Sequence, residues 1–191
     1  PYWSGLYMVE RADYLKKIAA EIKNRSNILA KYESRDTGKP ITLASKVDIP
    51  RAIENFNFFA NFSENFYFES SIESEVSINS VSKQALGVVG CISPWNLPLY
   101  LFTWKIAPAL IVGNTVLAKP SEITPLTASK LAEICSDIGL PKGVLNIVNG
   151  TGHIAGDLIV KNKNIKAISF TGGTVTGKKI YQNSFDSFKK L

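Results

Sequence analysis

Residues 167–180, AISFTGGTVTGKKI, run from an apolar stretch through two glycines into a basic segment at helical spacing. A helix opening there turns its first free N–H groups, from about Thr174 onward, toward the space that Gly172 and Gly173 leave clear. Such an end favours an anion by roughly 0.3 to 1 kcal/mol per charge, so the chemistry on offer is holding a phosphate. It is not a Walker loop, because Lys178 does not follow the G-x-x-x-x-G-K-[ST] spacing. The stretch KPSE, residues 119–122, offers a second chemistry. Glu122 at a strand end can accept both hydroxyls of a ribose and would repel a 2′-phosphate, while Lys119 reaches the same sugar or its phosphates. A capped helix with a surface ion pair accounts for those residues equally well. Asn96, inside SPWNLP (93–98), carries an amide donor between two restricting prolines, where it is either a turn residue or a donor to a developing oxyanion. Gly150, Gly152 and Gly156 form G-x-G-x-x-x-G, one residue too long for the usual dinucleotide fingerprint but open to close backbone approach by a ligand. His153 is the sole histidine; without Cys or Asp neighbours it makes no metal site and reads as a surface helix residue.

Each of these stretches follows a short apolar run, and the elements around them must deliver that arrangement. GVVGCIS (87–93), NTVLAKP (114–120), GVLNIVNG (143–150) and IKAISFTG (165–172) read as strands. Helical LYLFTWKIAPALI (99–111), PLTASKLAEICSDIG (125–139) and HIAGDLIVK (153–161) separate them, and TVTGKKIYQN follows the last. This rhythm predicts an α/β fold with a parallel sheet covered on both faces, in which ligands collect beyond the carboxyl ends of the strands. Thr124 and Pro125 are the expected N-cap and first residue of their helix. Upstream, Leu15, Ile18, Ala19, Ile22, Ile28, Leu29 and Tyr32 predict one or two amphipathic helices over residues 11–37, closed by TGKP at 37–40. Residues 48–68 place Ile53, Phe56, Phe58, Phe59, Phe62 and Phe66 at three- and four-residue steps, the pattern of a helix packed on a core. ESEVSINSVSK (73–83) alternates loosely and predicts a half-exposed strand, an arm or an edge.

A chain of 191 residues that is 45% hydrophobic can bury the core of one ordinary domain. Its net charge of +6 comes from scattered lysines with no interleaved aromatic residues, which reads as solvated faces and not as a nucleic-acid platform. Cys91 and Cys135 make neither a metal spacing nor a disulfide framework, so a reducing, cytoplasmic compartment is expected. Cys91 falls in an apolar strand and Cys135 in an amphipathic helix, surroundings that suit neither for a nucleophile. No apolar run has the length of a membrane span and no signal peptide is visible.

The blocks ISPWNLPLYLFTWKIAPALIVGNTVLAKPSEITPLTA, GLPKGVLNIVNGTG and ISFTGGTVTGKKI, in this order, resemble the aldehyde dehydrogenase superfamily, most strongly from Gly87 onward. DIPRAIENFNFFA and SPWNLPLYLFTWKIAPAL are most similar to its 2-aminomuconate semialdehyde branch, which oxidises a dicarboxylic semialdehyde of tryptophan breakdown. The resemblance implies that residues 1–191 are part of a Rossmann-like NAD-binding domain, with N-terminal helices and a strand arm at about 70–86 that joins subunits of a dimer or tetramer. It implies a small-molecule aldehyde as substrate, NAD as cofactor, no metal, no nucleic acid and no membrane. Asn96 then matches an oxyanion-hole asparagine, Ser93 and Trp95 line the cofactor cleft, and Lys119 and Glu122 take the adenine ribose, an acid that selects NAD over NADP. Gly152 and Gly156 flank the adenine end, and Phe170, Thr171, Gly172, Gly173 and Thr176 form the turn and helix start under the pyrophosphate. Gly173 stands where the family often carries serine, which removes one hydroxyl.

In that family a cysteine thiolate attacks the aldehyde, a hydride passes to the nicotinamide and a glutamate activates water to hydrolyse the thioester. Neither the cysteine nor the glutamate is matched here; the glutamate motif would begin just after FDSFKKL, and the cysteine further on in a catalytic domain. Because the chain opens on Pro1 and stops on an apolar residue, the expectation is the cofactor-binding part of a longer enzyme, inert and aggregation-prone alone. The alternatives are a truncated homologue that binds nucleotide or pairs with a full-length subunit without catalysis, and a basic nucleic-acid binder.

Overall fold

The computed structural model describes residues 2–191. A short helix α1 (Tyr2–Gly5) precedes α2 (Met8–Asn24) and α3 (Ser26–Thr37), so the periodic segment is two helices broken at Arg25. Helix α2 buries Leu15, Ile18, Ala19 and Ile22 along one stripe, as their spacing predicts. Helix α3 ends at Gly38, whose φ of 74° is the left-handed C-cap a glycine adopts without a Cβ clash. Ile28 is turned outward while Leu29 and Ala30 are buried.

A three-residue helix α4 (Ile41–Leu43) and a π-helical turn (Ala44–Asp48) lead into α5 (Ile49–Phe62). The expected aromatic stripe is corrected here. The enclosed line is Ala44, Ile49, Ala52, Phe56 and Ala60, each 0% exposed, and Phe56 is its only phenylalanine. The alanines let α5 approach α2 and α6 (Pro98–Ile111) closely, leaving no room for more large rings at that seam. Ile53 and Phe59 pack at its margin, Phe58 and Phe62 are exposed, and Phe66 lies beyond the helix, edge-on to Phe68 at 5.0 Å.

Residues 69–82 form an antiparallel hairpin, β1 (Glu69–Glu73) with β2 (Ile78–Ser82), where a single strand over 73–83 was expected. The turn is made by serines: the Ser74 amide donates to the Ser77 carbonyl at 2.8 Å and the two hydroxyls lie 2.9 Å apart. Local bonding of this kind competes with strand pairing and ends the alternation at Val76. Every residue of both strands is exposed.

The main sheet is parallel, in the order β5 (Leu145–Ile147), β4 (Thr115–Lys119), β3 (Val88–Ile92), β6 (Ile165–Phe170). Helices α6, α7 (Leu126–Asp137) and α8 (Asp157–Lys161) connect the strands, and α9 (Thr174–Ser184) follows β6. One face presents Val89, Cys91, Val116 and Ala118 to the large core beneath α2, α5, α6 and α7. The other presents Ile92 and Ile168 to a small core with Ile159, Val160 and Ile180 of α8 and α9. Both faces are covered, as the apolar runs predict, but unequally. Lys190 pairs with the outer edge of β6, its carbonyl accepting the Ile168 amide at 2.8 Å.

Candidate functional site

Three strands end level. Ile92 pairs with Lys119 on one side and with Phe170 on the other. The Ser93 amide donates to the Lys119 carbonyl and the Thr171 amide to the Ile92 carbonyl, each at 3.1 Å. The stretches singled out for their chemistry therefore leave a single edge of the sheet, its carboxyl edge, where an open parallel sheet receives ligands.

Lys119 is 2% exposed, and its ammonium donates to the Pro120 carbonyl at 2.7 Å and to Glu122 Oε2 at 3.1 Å. Glu122 itself stays open to solvent. Its carboxyl is held below the ordinary range by its own backbone N–H first, then by Lys119 and by the Gly152 N–H, against a partial loss of solvation. Gly156 covers the stem of the lysine: a Cβ added there would stand 4.0 Å from Lys119 Cδ. Lys119, Glu122, Gly152 and Gly156 thus converge, and the ion pair joins a buried lysine to an exposed carboxylate. A ribose diol fits these groups, since the accessible carboxylate can accept two hydroxyls and the lysine can donate beside it.

The expected N-cap beside them is corrected. Thr124 turns its hydroxyl to the Trp95 carbonyl at 3.4 Å, and Pro125 precedes the helix without capping it. Capping comes from α3 instead: Asp36 Oδ2 accepts the Leu126 amide at 2.8 Å, satisfying an otherwise orphan donor from a distant element.

At the end of β6 the Phe170 ring folds over Gly172 and Gly177, and a Cβ on Gly172 would overlap that ring. Gly173 differs: it is the N-cap of α9 in extended conformation, and a Cβ there would meet nothing within 4 Å. Helix α9 has no side-chain cap, so its first N–H groups face outward unclaimed by a side chain, as an anion site requires. Thr176 lies in that first turn and joins Gly152 and Gly156 around a cavity of about 220 Å³, together with His153, Lys179 and Ile92. His153 is exposed in a π-helical turn (Gly152–Gly156), the surface helix residue expected, and it also borders this cavity.

Ser93 is buried and its hydroxyl lies 3.5 Å from the Leu101 carbonyl, while Trp95 and Asn96 are exposed on the loop that leads to α6. Asn96 is held through its backbone. Its carbonyl accepts from Lys39 Nζ at 3.1 Å, and Lys39 is 2.5 Å from Asp48 Oδ2. Glu33, 0% exposed, accepts the Leu99 amide at 3.3 Å and the Thr127 hydroxyl at 2.7 Å, and burial lifts its carboxyl to about 7.

Residues 1–191, the whole chain, match the Aldehyde dehydrogenase family. The chain belongs to this family. It is 45% identical to the 2-aminomuconic semialdehyde dehydrogenase of Danio rerio over 100% of its length, which covers 39% of that protein. Among solved structures it is similar to PnpE from Pseudomonas sp. WBC-3, which is also known with nicotinamide adenine dinucleotide (40% identity, TM-score 0.95, 100% of this chain and 39% of that one). A betaine aldehyde dehydrogenase from Staphylococcus aureus in complex with NAD+ matches at 36% identity and TM-score 0.93, over 98% of this chain and 38% of that one. The chain thus spans about two fifths of the length of the relatives it matches.

Both cysteines are free and buried. Burial pushes both thiols up to about 12, so neither is a thiolate near neutral pH. Lys105 went unnoticed in the sequence and is the more suggestive group. It is buried on α6, bonded to the Leu101 carbonyl at 3.4 Å, and burial lowers its ammonium below the ordinary lysine range. It borders a second cavity, of about 650 Å³, with Cys91, Ser169, Phe170 and Thr171, across β6 from the first. The signal was available: Lys105 is the one charged residue in the apolar run LYLFTWKIAPALI. Among the described residues no helix is long and apolar enough to cross a membrane.

Proposed function

We propose that this chain is part of the NAD-binding domain of an NAD-dependent aldehyde dehydrogenase, whose full-length form oxidises a dicarboxylic semialdehyde such as 2-aminomuconate semialdehyde to its acid. The observation that carries the reading is the convergence of the Lys119–Glu122 pair, the two glycines at 152 and 156, and the uncapped start of α9 on one edge of the sheet. Glu122 and Lys119 hold the adenine ribose, and the carboxylate disfavours a 2′-phosphate. Gly172, Gly173 and the first turn of α9 receive the pyrophosphate, with Phe170, Thr171 and Thr176 shaping the turn. Ser93 and Trp95 border the cleft, and Asn96 offers its amide to the oxyanion formed from the aldehyde. When bound, the nicotinamide supplies the hydride acceptor. The names of the muconic semialdehyde relatives support the substrate class. Two unbridged buried thiols support a cytoplasmic location, and the exposed hairpin β1–β2 supports contacts between subunits of a homo-oligomer.

The test is reduction of NAD+ by the full-length protein against a panel of aldehydes, read at the absorbance of NADH. The reading expects turnover with dicarboxylic semialdehydes, NAD+ preferred to NADP+, and a loss on the order of 10²–10³ in kcat for Asn96→Ala. NAD+ binding without turnover of any aldehyde would favour the non-catalytic nucleotide-binding homologue instead.

A further inference from the structure

The loop that carries Asn96 is held by more than the strand and helix that flank it. Between Asn96 and Leu99 the backbone is gripped at both ends by one buried charged cluster: Lys39 takes the Asn96 carbonyl at 3.1 Å and Glu33 takes the Leu99 amide at 3.3 Å. The cluster sits just under the surface. Asp48 and Glu33 are 0% exposed, the Lys39 side chain is 11% exposed, and Lys39 Nζ lies 2.5 Å from Asp48 Oδ2 and 4.0 Å from Glu33 Oε1. Two buried carboxylates therefore share one ammonium, and Asp48 Oδ1 has no partner among the described residues. Removing charged groups from water is costly, and an apolar plug would fill this space more cheaply if filling were all it did. What these groups deliver beyond filling is directional hydrogen bonding, to the Thr127 hydroxyl of α7 and to the backbone at both ends of the Asn96–Leu99 stretch. Every contact to Asn96 within the cluster is made through its carbonyl.

We propose that Lys39, seated by Asp48 and flanked by Glu33, is a positioning residue that fixes the Asn96 backbone and so aims its amide at the developing oxyanion. The catalytic part of this rests on the function proposed above; the clamp itself rests only on the geometry.

The experiment uses the full-length protein. Lys39→Ala strands two buried carboxylates and is prone to misfold, so the informative variant is Lys39→Met/Asp48→Asn, which removes the clamp without leaving the Asp48 charge unpaired, alongside Lys39→Arg. Hydrogen exchange is followed at residues 94–99 and in the four strands of the main sheet, with NAD+ affinity and kcat measured in the presence and absence of Asn96→Ala. The clamp predicts faster exchange at 94–99 with the strands unchanged, and NAD+ affinity within about twofold. It also predicts a kcat loss of up to about 100-fold that vanishes in the Asn96→Ala background and is partly rescued by Lys39→Arg. Unchanged exchange at 94–99, or the same kcat loss in both backgrounds, overturns the proposal. Faster exchange in a protein whose unaltered form oxidises no aldehyde would sink the proposed function and leave the clamp standing.

Discussion

Glu33 shows how a single enclosed carboxyl carries information that its neighbours in sequence do not. Burial lifts it from the ordinary 4.5 to about 7, because the Thr127 hydroxyl, Lys39 and the Leu99 amide only partly replace lost water. A folded-state value raised above the unfolded one means that Glu33 favours folding fully below about pH 4.5. That contribution is lost as pH rises through 7, up to about 3 kcal/mol in all. Glu33→Gln cannot ionise; its carbonyl can still accept the Leu99 amide while its NH2 donates to the Thr127 hydroxyl, which then accepts. Urea unfolding should then show the variant gaining on the unaltered protein between pH 5 and pH 8; a constant difference across that range would contradict a buried, titrating Glu33. Asn96, Lys119 and Glu122 were legible in the sequence as residues placed at or beyond strand ends, because each belongs to a stretch that follows a short apolar run. Glu33 and Lys39 were not. Their partners lie 66 and 57 residues away, and nothing local marks a glutamate on an amphipathic helix as wholly enclosed.

At the scale of elements, the strands and crossover helices could be read because short apolar runs alternate with helical spacing, which is what a buried parallel sheet demands. The helix α5 could be placed but its face could not. Spacing alone does not distinguish phenylalanines that face the core from those that flank it, and close packing against α2 and α6 selected the alanine side. Phe56→Ala should cost about 3–5 kcal/mol in urea unfolding, whereas the exposed Phe58→Ala should stay within about 0.5 kcal/mol. Equal costs would mean that the helix is rotated from the orientation described. The hairpin was missed as a hairpin because its turn is built from serines bonding one another, without the glycine that usually announces one.

Across the whole molecule, a large core holds α2, α5, α6 and α7 on one face of the sheet and a small one holds α8 and α9 on the other. The carboxyl edge stays open between a 220 Å³ cavity on the α8–α9 side and a 650 Å³ cavity on the α6 side. Lys105 borders the larger of the two, and the glycines at 152 and 156 the smaller. The proposed NAD site consists of the ribose pair, the two glycines and the start of α9. Its most direct test is calorimetric titration of the full-length protein with NAD+, with and without Lys119→Ala and Glu122→Gln together. Losing the paired ribose contacts should raise Kd at least about tenfold, equivalent to 1.4 kcal/mol, with the fold intact by circular dichroism. A Kd unchanged by the double substitution would contradict the site described here.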